Sequence, residues 1–342
     1  MASPTFEQVA HPERVLVIFP GALGDLICFG PALRALARRH RDAPLELMAR
    51  EELARFAVER LGLVRIGITG GRSRDHSQGR SQARSQARSI DRREVAALFA
   101  ETPDLTEARA FFRPFTRIYS FFASDDARFR RALEAAAAPT AVSFHAFRPA
   151  GAGHVAAGYL EEIGERGAPP CEHVDGHIDV LPGDIAEARR ALIRLGLEDA
   201  RFVLLFPGSG SPHKNWPAEK FAALANALAS PMRALVVLGP AEAAIEPLLI
   251  PLLAARGIAL LSDRPLGTIA GLARLAAGFV GNDSGVSHLA AAAGAPGVAL
   301  FGPTDPDRWR PLGRVRVVRA LNLADLTPAE VASAVQETLQ TG

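Results

Sequence analysis

Three short stretches carry residue types and spacings suited to chemistry on a phosphate-linked substrate. The first is Asp283-Ser284-Gly285. It ends the apolar run Phe279-Val280-Gly281 and opens into Leu289-Ala290-Ala291-Ala292, with His288 one helical turn after Ser284. A strand that turns directly into a helix leaves first-turn N–H groups free, and these and the helix dipole attract an anion. Ser284 could equally just cap that helix, and His288 could be a packed core residue. The second stretch is Phe206-Pro207-Gly208-Ser209-Gly210-Ser211, followed by Lys214. Small residues let the backbone approach a ligand, hydroxyls can donate, and Lys214 can neutralise a diphosphate. A plain β–α turn with a solvated lysine would read the same way. Neither Gly-Lys-Ser/Thr nor Gly-x-Gly-x-x-Gly is present. The third is Pro20-Gly21-Ala22-Leu23-Gly24-Asp25. Gly21 and Gly24 permit close approach. Asp25 is either an N-cap or a general base that must reach an acceptor hydroxyl. The chain has two lysines, Lys214 and Lys220, against 37 arginines, so a lysine at 214 is either selected for its place or there by chance.

These turns need strands and helices to aim them. Arg14–Phe19 reads as a buried strand ended by Pro20-Gly21, and Asp25–His40 as a helix with a basic end and a proline at 31. Strands at Leu45–Met48 and near Val64–Ile68 bracket a helix at Glu51–Leu61. Glu94–Ala100 is read as a helix, Arg117–Phe122 as a strand, Asp126–Ala136 as a helix, Thr140–Phe144 as a strand and His154–Ile163 as a helix. Residues 70–93 break the alternation. They are Arg, Ser, Gln and Gly with the repeat Ser-Gln-Ala-Arg at 81–88, and they predict a disordered or loosely helical surface loop. Gly167–Gly183 reads as a linker. A second alternation then runs from a helix at Ile185–Leu195 to a terminal helix at Pro328–Leu339. Its strands are Phe202–Phe206, Arg233–Leu238, Ile258–Leu261, Gly278–Val280, Gly297–Phe301 and Val315–Val318. The expected fold class is α/β: two doubly wound, Rossmann-like domains facing across a cleft lined by the three turns. The expected division is an N-terminal domain over 1–165, a linker over 166–184, a C-terminal domain over 185–327 and a helix over 328–342 that could pack back on the first domain.

Length and composition agree. At 342 residues and 48% apolar, two packed cores are expected. No run of about 18 apolar residues predicts a membrane span, and residues 1–11 do not read as a secretory signal. Cys28 and Cys171 lack metal-ligand spacing and read as thiols in a reducing cytoplasm. A net charge of +2 argues against a nucleic-acid partner. The charge is uneven. Residues 1–166 hold 24 Arg, no Lys and 20 acidic residues (+4), and the remainder holds 15 basic and 17 acidic residues (−2). This is either a solvated face or a half that meets an anionic acceptor or membrane surface.

Taken in order, RVLVIFPGALGDLICFGPALRAL (14–36), FPGSGSPHKNWPAEKFAALANAL (206–228) and GNDSGVSHLAAAAGAPGVALFGPTDPDRWRP (281–311) resemble glycosyltransferase family 9. These are the bacterial lipopolysaccharide heptosyltransferases, which have the GT-B fold. The resemblance is weak over about 45–165. It implies inverting, metal-independent transfer of heptose from ADP-heptose to a saccharide such as lipopolysaccharide core, with no cofactor. By motif match it implies Asp25 as base. Ser209, Gly210 and Lys214 would hold the diphosphate, with Lys214 stabilising the leaving ADP. Asp283, Ser284, Gly285 and His288 would hold donor sugar and phosphates, and Glu242 would lie near the nucleoside. A cytoplasmic enzyme, with or without peripheral contact at the inner membrane, follows from the same resemblance. The chain departs from the family at Phe19-Pro20, where many relatives are polar or basic, and in the insertion at 70–93. A GT-B transferase with another donor or acceptor, or a sugar-nucleotide binder that does not turn over, are the alternatives. The joint presence of Asp25, Lys214 and Asp283 speaks against the binder.

Overall fold

The computed structural model describes residues 13–63, 86–165, 174–228, 232–243 and 245–340. By internal contacts the chain forms two compact units. One comprises Met1–Pro20, Leu36–Val58 and Ile66–Phe147; the other comprises Gly21–Ala35, Glu59–Arg65 and Arg148–Gly342. Sequence reading places a boundary near 165, whereas contacts group residues 148–165, and most of the first helix (through Ala35), with the second unit.

The first unit is built on five parallel strands in the order β3-β2-β1-β4-β5. They are β1 Val15–Ile18, β2 Leu45–Ala49, β3 Ala87–Ser89, β4 Arg117–Ser120 and β5 Ala141–Phe144. All four residues of β1 are buried, as a continuous apolar run between parallel neighbours requires. Helices follow the strands: α1 Leu23–Arg39, α2 Glu51–Arg60, α3 Arg93–Ala96, α4 Thr106–Phe112 and α5 Ala127–Ala137. In α5 the Asp126 carboxylate accepts from Arg128 N (2.8 Å) and Phe129 N (3.0 Å), which starts the helix. Phe129, Ala132, Leu133, Ala136 and Ala137 then recur at helical spacing and are buried. Phe129 alone contributes about 1.5–3 kcal/mol by leaving water.

The loop expected over 70–93 needs correction at its end. Ala87–Ser89 is a strand, pairing with Leu47–Ala49, and Ile90 N donates to Ala49 O at 2.7 Å. The cause lies in β2, where Glu46 is only 4% exposed. Its carboxylate takes Arg88 Nε at 2.6 Å and Arg14 Nη2 at 2.6 Å. Ladder bonds and a charge partner hold a polar edge strand that composition alone cannot reveal. The expected strand at Val64–Ile68 lies outside the described residues. The helix expected at Glu94–Ala100 is α3 followed by a 3₁₀ turn at Ala97–Phe99.

The second unit has six parallel strands in the order β11-β10-β9-β6-β7-β8. They are β6 Phe202–Phe206, β7 Arg233–Leu238, β8 Ala259–Ser262, β9 Gly278–Asn282, β10 Gly297–Phe301 and β11 Val315–Arg319. The helices are α6 Val155–Glu162, α7 Pro182–Arg194, α8 Ala218–Ala227, α9 Glu246–Ala254, α10 Leu266–Leu275, α11 Gly285–Ala292, α12 Pro306–Trp309 and α13 Pro328–Gln340. Pro182 opens α7 where sequence suggested linker, because Asp184 accepts from Leu181 N at 3.0 Å and pairs with Arg60 at 2.7 Å. The terminal helix α13 joins this unit's core through Val331, Ala332, Ala334 and Val335, packed with Trp216, Phe221, Leu224, Val280 and Leu300. It does not need the first domain to bury its apolar face.

Strand order brings two of the three turns together. β6, β7 and β8 run to one side and β9, β10 and β11 to the other, so the order reverses between the adjacent β6 and β9. Phe206 pairs in register with Gly281, so both strands end level. Their turns, 207–211 and 283–285, leave the carboxyl edge side by side, which is where open α/β sheets bind ligands. Among the described residues no helix is long and apolar enough to cross a membrane.

Candidate functional site

Asn282, the last residue of β9 and fully buried, ties the two turns together. Its Nδ2 donates to Pro207 O at 2.8 Å, and its Oδ1 accepts from Trp216 N at 2.9 Å. With that frame set, Lys214, at the end of a 3₁₀ turn over Pro212–Lys214, puts Nζ 2.7 Å from Asp283 Oδ2. The Thr304 hydroxyl donates to the same oxygen at 2.7 Å.

At the start of α11, Ser284 sits at the N-cap, but its side chain makes no cap bond. Ser287 Oγ donates its one proton to Asn282 O (2.7 Å), so Ser284 Oγ, 3.2 Å away, donates to Ser287. The helix therefore keeps its first amides, those of Gly285 and Val286, without an intrahelical acceptor. Side-chain capping of this helix, one of the two readings of Ser284, is not what the structure contains.

Asp25 lies in the first turn of α1 and is 8% exposed. Arg148 grips it with a two-pronged fork, Nε to Oδ1 at 2.9 Å and Nη2 to Oδ2 at 3.0 Å, while Ala22 N donates to Oδ2 at 3.2 Å. The α1 and α11 N-termini meet at two glycines. A Cβ on Gly285 would stand 3.0 Å from Leu23 Cβ and 3.1 Å from Gly24 N; one on Gly24 would stand 3.2 Å from His288 Cδ2. A side chain at either position would press on the other helix more tightly than ordinary van der Waals contact. This contact, with the Arg148 fork, is why Asp25 groups with the unit that holds Lys214.

His288 is 5% exposed, with Nδ1 3.5 Å from Cys28 Sγ. Burial pushes its pKa down to about 4, against the pull of Asp283, so the ring is neutral near pH 7. His154 is held below its ordinary value by burial as well. An unfolded chain would protonate both near pH 6.5, while the folded chain resists. Their contribution to stability is therefore complete above about pH 6.5 and is lost as the pH falls toward 4. Thermal unfolding followed from pH 7 to 4 should give a steep fall in Tm that flattens in His288→Asn; equal slopes would remove this role.

The other expected residues divide. Glu242 comes to the 207–211 turn: it fills the space where a Cβ of Gly208 would be, and Oε2 accepts from Gly239 N at 2.7 Å. Burial raises its pKa, with Asp263 adding in the same direction. Ser209 spends its hydroxyl in its own turn, donating to Ser211 O at 2.7 Å and accepting from Ser211 N at 3.2 Å. Gly210 is exposed, with open space around it. Gly21 is buried in the turn between β1 and α1. Sequence reasoning missed Arg148, Thr304 and Asn282. Thr304 and Asn282 flank or follow the Asp283 turn and could have been weighed there; Arg148, in Phe147-Arg148-Pro149, carries no local signal. Among the described residues no group of three or more His, Cys, Asp or Glu side chains could hold a metal ion.

Residues 180–333, which carry both turns, match the model of "Glycosyltransferase family 9 (heptosyltransferase)". Over those residues the chain is similar to glycosyltransferase family 9. Lipopolysaccharide heptosyltransferase 1 of Escherichia coli K12 is 33% identical over 129 residues, 36% of this chain and 39% of that protein. The matched part thus spans about two fifths of that relative's length. A glycosyltransferase family 9 structure from Veillonella parvula covers 96% of this chain and 98% of its own, at 19% identity and a TM-score of 0.72. The E. coli ADP-heptose lipopolysaccharide heptosyltransferase II structure covers 96% and 99%, at 19% identity and a TM-score of 0.68. The two parallel α/β units are those of the GT-B fold, and the matched stretch contains Lys214, Glu242, Asp283, Ser284, Gly285 and His288.

Proposed function

We propose that this chain is an inverting glycosyltransferase that moves heptose from ADP-heptose to a saccharide hydroxyl, lipopolysaccharide core being the acceptor class. The observation that carries the reading is the meeting of two helix N-termini, Lys214 and a held carboxylate at the strand-order reversal of the stretch matched to family 9. The donor follows the heptosyltransferase II likeness, whose own name specifies ADP-heptose.

The residues divide the work. Lys214 spends one of three N–H donors on Asp283 and has two for a diphosphate. The free amides of Gly285 and Val286 add to it at the helix N-terminus. Asp283 uses Oδ2 for Lys214 and Thr304, leaving Oδ1 for a sugar hydroxyl. Asp25 has both lone pairs of Oδ2 engaged and one of Oδ1, so the remaining Oδ1 lone pair takes the acceptor's proton. The acceptor oxygen then attacks the anomeric carbon from the face opposite the diphosphate, the C–O bond to ADP breaks, and the charge passes to ADP beside Lys214. Ser209 shapes its turn, and Gly210 leaves room for the phosphates. Glu242 reaches the nucleoside. His288 braces the helix junction from within. No step calls on a metal.

A thermal-shift panel of ADP, UDP, GDP and CDP tests the donor. ADP should raise Tm most, by an amount set by its concentration over Kd, and with EDTA present the shift and turnover should persist. Preference for UDP or GDP would overturn the ADP assignment; loss of turnover in EDTA would overturn the metal-free mechanism.

A further inference from the structure

Arg148 holds Asp25, and something must in turn hold Arg148. Its φ is 57°, a left-handed conformation that non-glycine residues adopt at a cost, and Pro149 follows directly, which narrows the backbone further. Such a conformation persists only where its surroundings enforce it.

The enforcement comes from α12, in the segment between β10 and β11 that holds Gly302, Pro303, Pro306, Pro311 and Gly313. Pro306 opens this helix and Asp305 caps it, accepting from Asp307 N at 3.1 Å. Arg308 then donates to three carbonyls of the Arg148 loop: Gly151 O at 2.8 Å, Gly153 O at 3.3 Å, and Pro149 O. The Trp309 ring carries the Arg148 guanidinium 5.4 Å from its centroid and that of Arg308 at 5.3 Å, both within cation–π range. His154 closes the far end of the loop. Its Nδ1 accepts from Ala156 N (3.2 Å), so Nε2 carries the proton and donates to Arg310 O at 2.8 Å. Three consecutive residues, Arg308 to Arg310, thus strap the 148–154 loop. The strap follows Thr304, which is bonded to Asp283, so one segment touches both the donor-side carboxylate and the loop that holds the base.

From this geometry we infer that Arg308 and Trp309 are positioning residues: they act through Arg148 to aim the Asp25 carboxylate. The inference rests on the reading of Asp25 as base. Arg148 supplies the fork; Trp309 supplies a face against which the guanidinium keeps its plane; Arg308 fixes the strained loop that brings it there.

A double-mutant cycle tests it, with ADP-heptose and a heptose-deficient lipopolysaccharide core as probes. Trp309→Leu and Arg308→Gln should each lower kcat by about 10- to 100-fold, the range for a misplaced reacting group, with ADP affinity unchanged. Trp309→Phe, which keeps a ring face, should recover most of the loss. In an Arg148→Ala background Trp309→Leu should cost almost nothing more, since the part it acts through is gone. The same cycle read on Tm, which needs no substrate, should also be non-additive. Additive losses, a Trp309→Phe as impaired as Trp309→Leu, loss of ADP binding together with activity, or full activity of Arg148→Ala would each overturn the inference. Asp25→Asn in the same assay separates the two readings. If it is active, the base assignment fails; if it is inactive while the cycle is additive, only the strap fails.

Discussion

Replacing Asp25 by Asn should reduce transfer by about 10²–10⁴-fold, the usual contribution of a general base, and leave ADP binding intact. The amide cannot take a proton from the acceptor hydroxyl. It also opposes its own neighbours, because an NH2 group in place of either oxygen faces a donor, Arg148 Nε on one side and Arg148 Nη2 with Ala22 N on the other. Folding should survive the change. The Arg148 side chain is 52% exposed and the Asp25 side chain 7% exposed, so water screens the pair on the arginine side only and mispairing it costs about 1–3 kcal/mol. Loss should therefore appear in kcat with a modestly lowered Tm and an unchanged Kd for ADP. Transfer close to the parent's rate would end the assignment of Asp25 as base; a variant that no longer binds ADP would mean that Asp25 supports the nucleotide side.

Which parts of this site were legible in sequence follows from how local their causes are. β6 and β9 are apolar runs cut off by glycine-bearing turns, and the helix after Asp283 announces itself within a few residues. Lys214 and Asp283 are 69 positions apart, yet each sits in a turn that was readable alone, and register between neighbouring strands does the rest. Arg148 is different. It finds Asp25 across 123 positions from a backbone conformation that no residue preference predicts at Phe147-Arg148-Pro149. Its support in α12 was hidden for the opposite reason: proline and glycine suggest loop, but Asp305 and Pro306 are also a helix start. The edge strand Ala87–Ser89 was illegible because its stability lies in Glu46 and the β2 ladder. Ser284 shows the limit of a single-residue rule: its position is the cap, but Ser287 competes for its hydroxyl and leaves the amides open.

Removing the Lys214 side chain should be the second severe loss. The ammonium lies 2.7 Å from Asp283 Oδ2 and is 32% exposed, so it is held on one side and open on the other. Charge on the departing diphosphate grows as the glycosidic bond breaks, so an ammonium placed there stabilises the transition state more than the bound donor. Lys214→Met, which keeps the stem and removes the charge, should lower kcat by about 10²–10³-fold, as for other preorganised charge-stabilising groups, with a smaller rise in the donor's KM. Lys214→Arg should recover little. The larger planar fork would turn flat against the Asp283 carboxylate, so its remaining N–H groups would not point where the ammonium aims its two free donors. Asp283→Asn provides the counter-test: it frees Lys214 from its carboxylate but keeps the charge, so it should raise the donor KM more than it lowers kcat. A Lys214→Met variant that changes KM alone would make the lysine a ground-state phosphate binder. One that changes neither would leave it as a counter-ion for Asp283, and the leaving-group role would then fall to the helix amides of Gly285 and Val286.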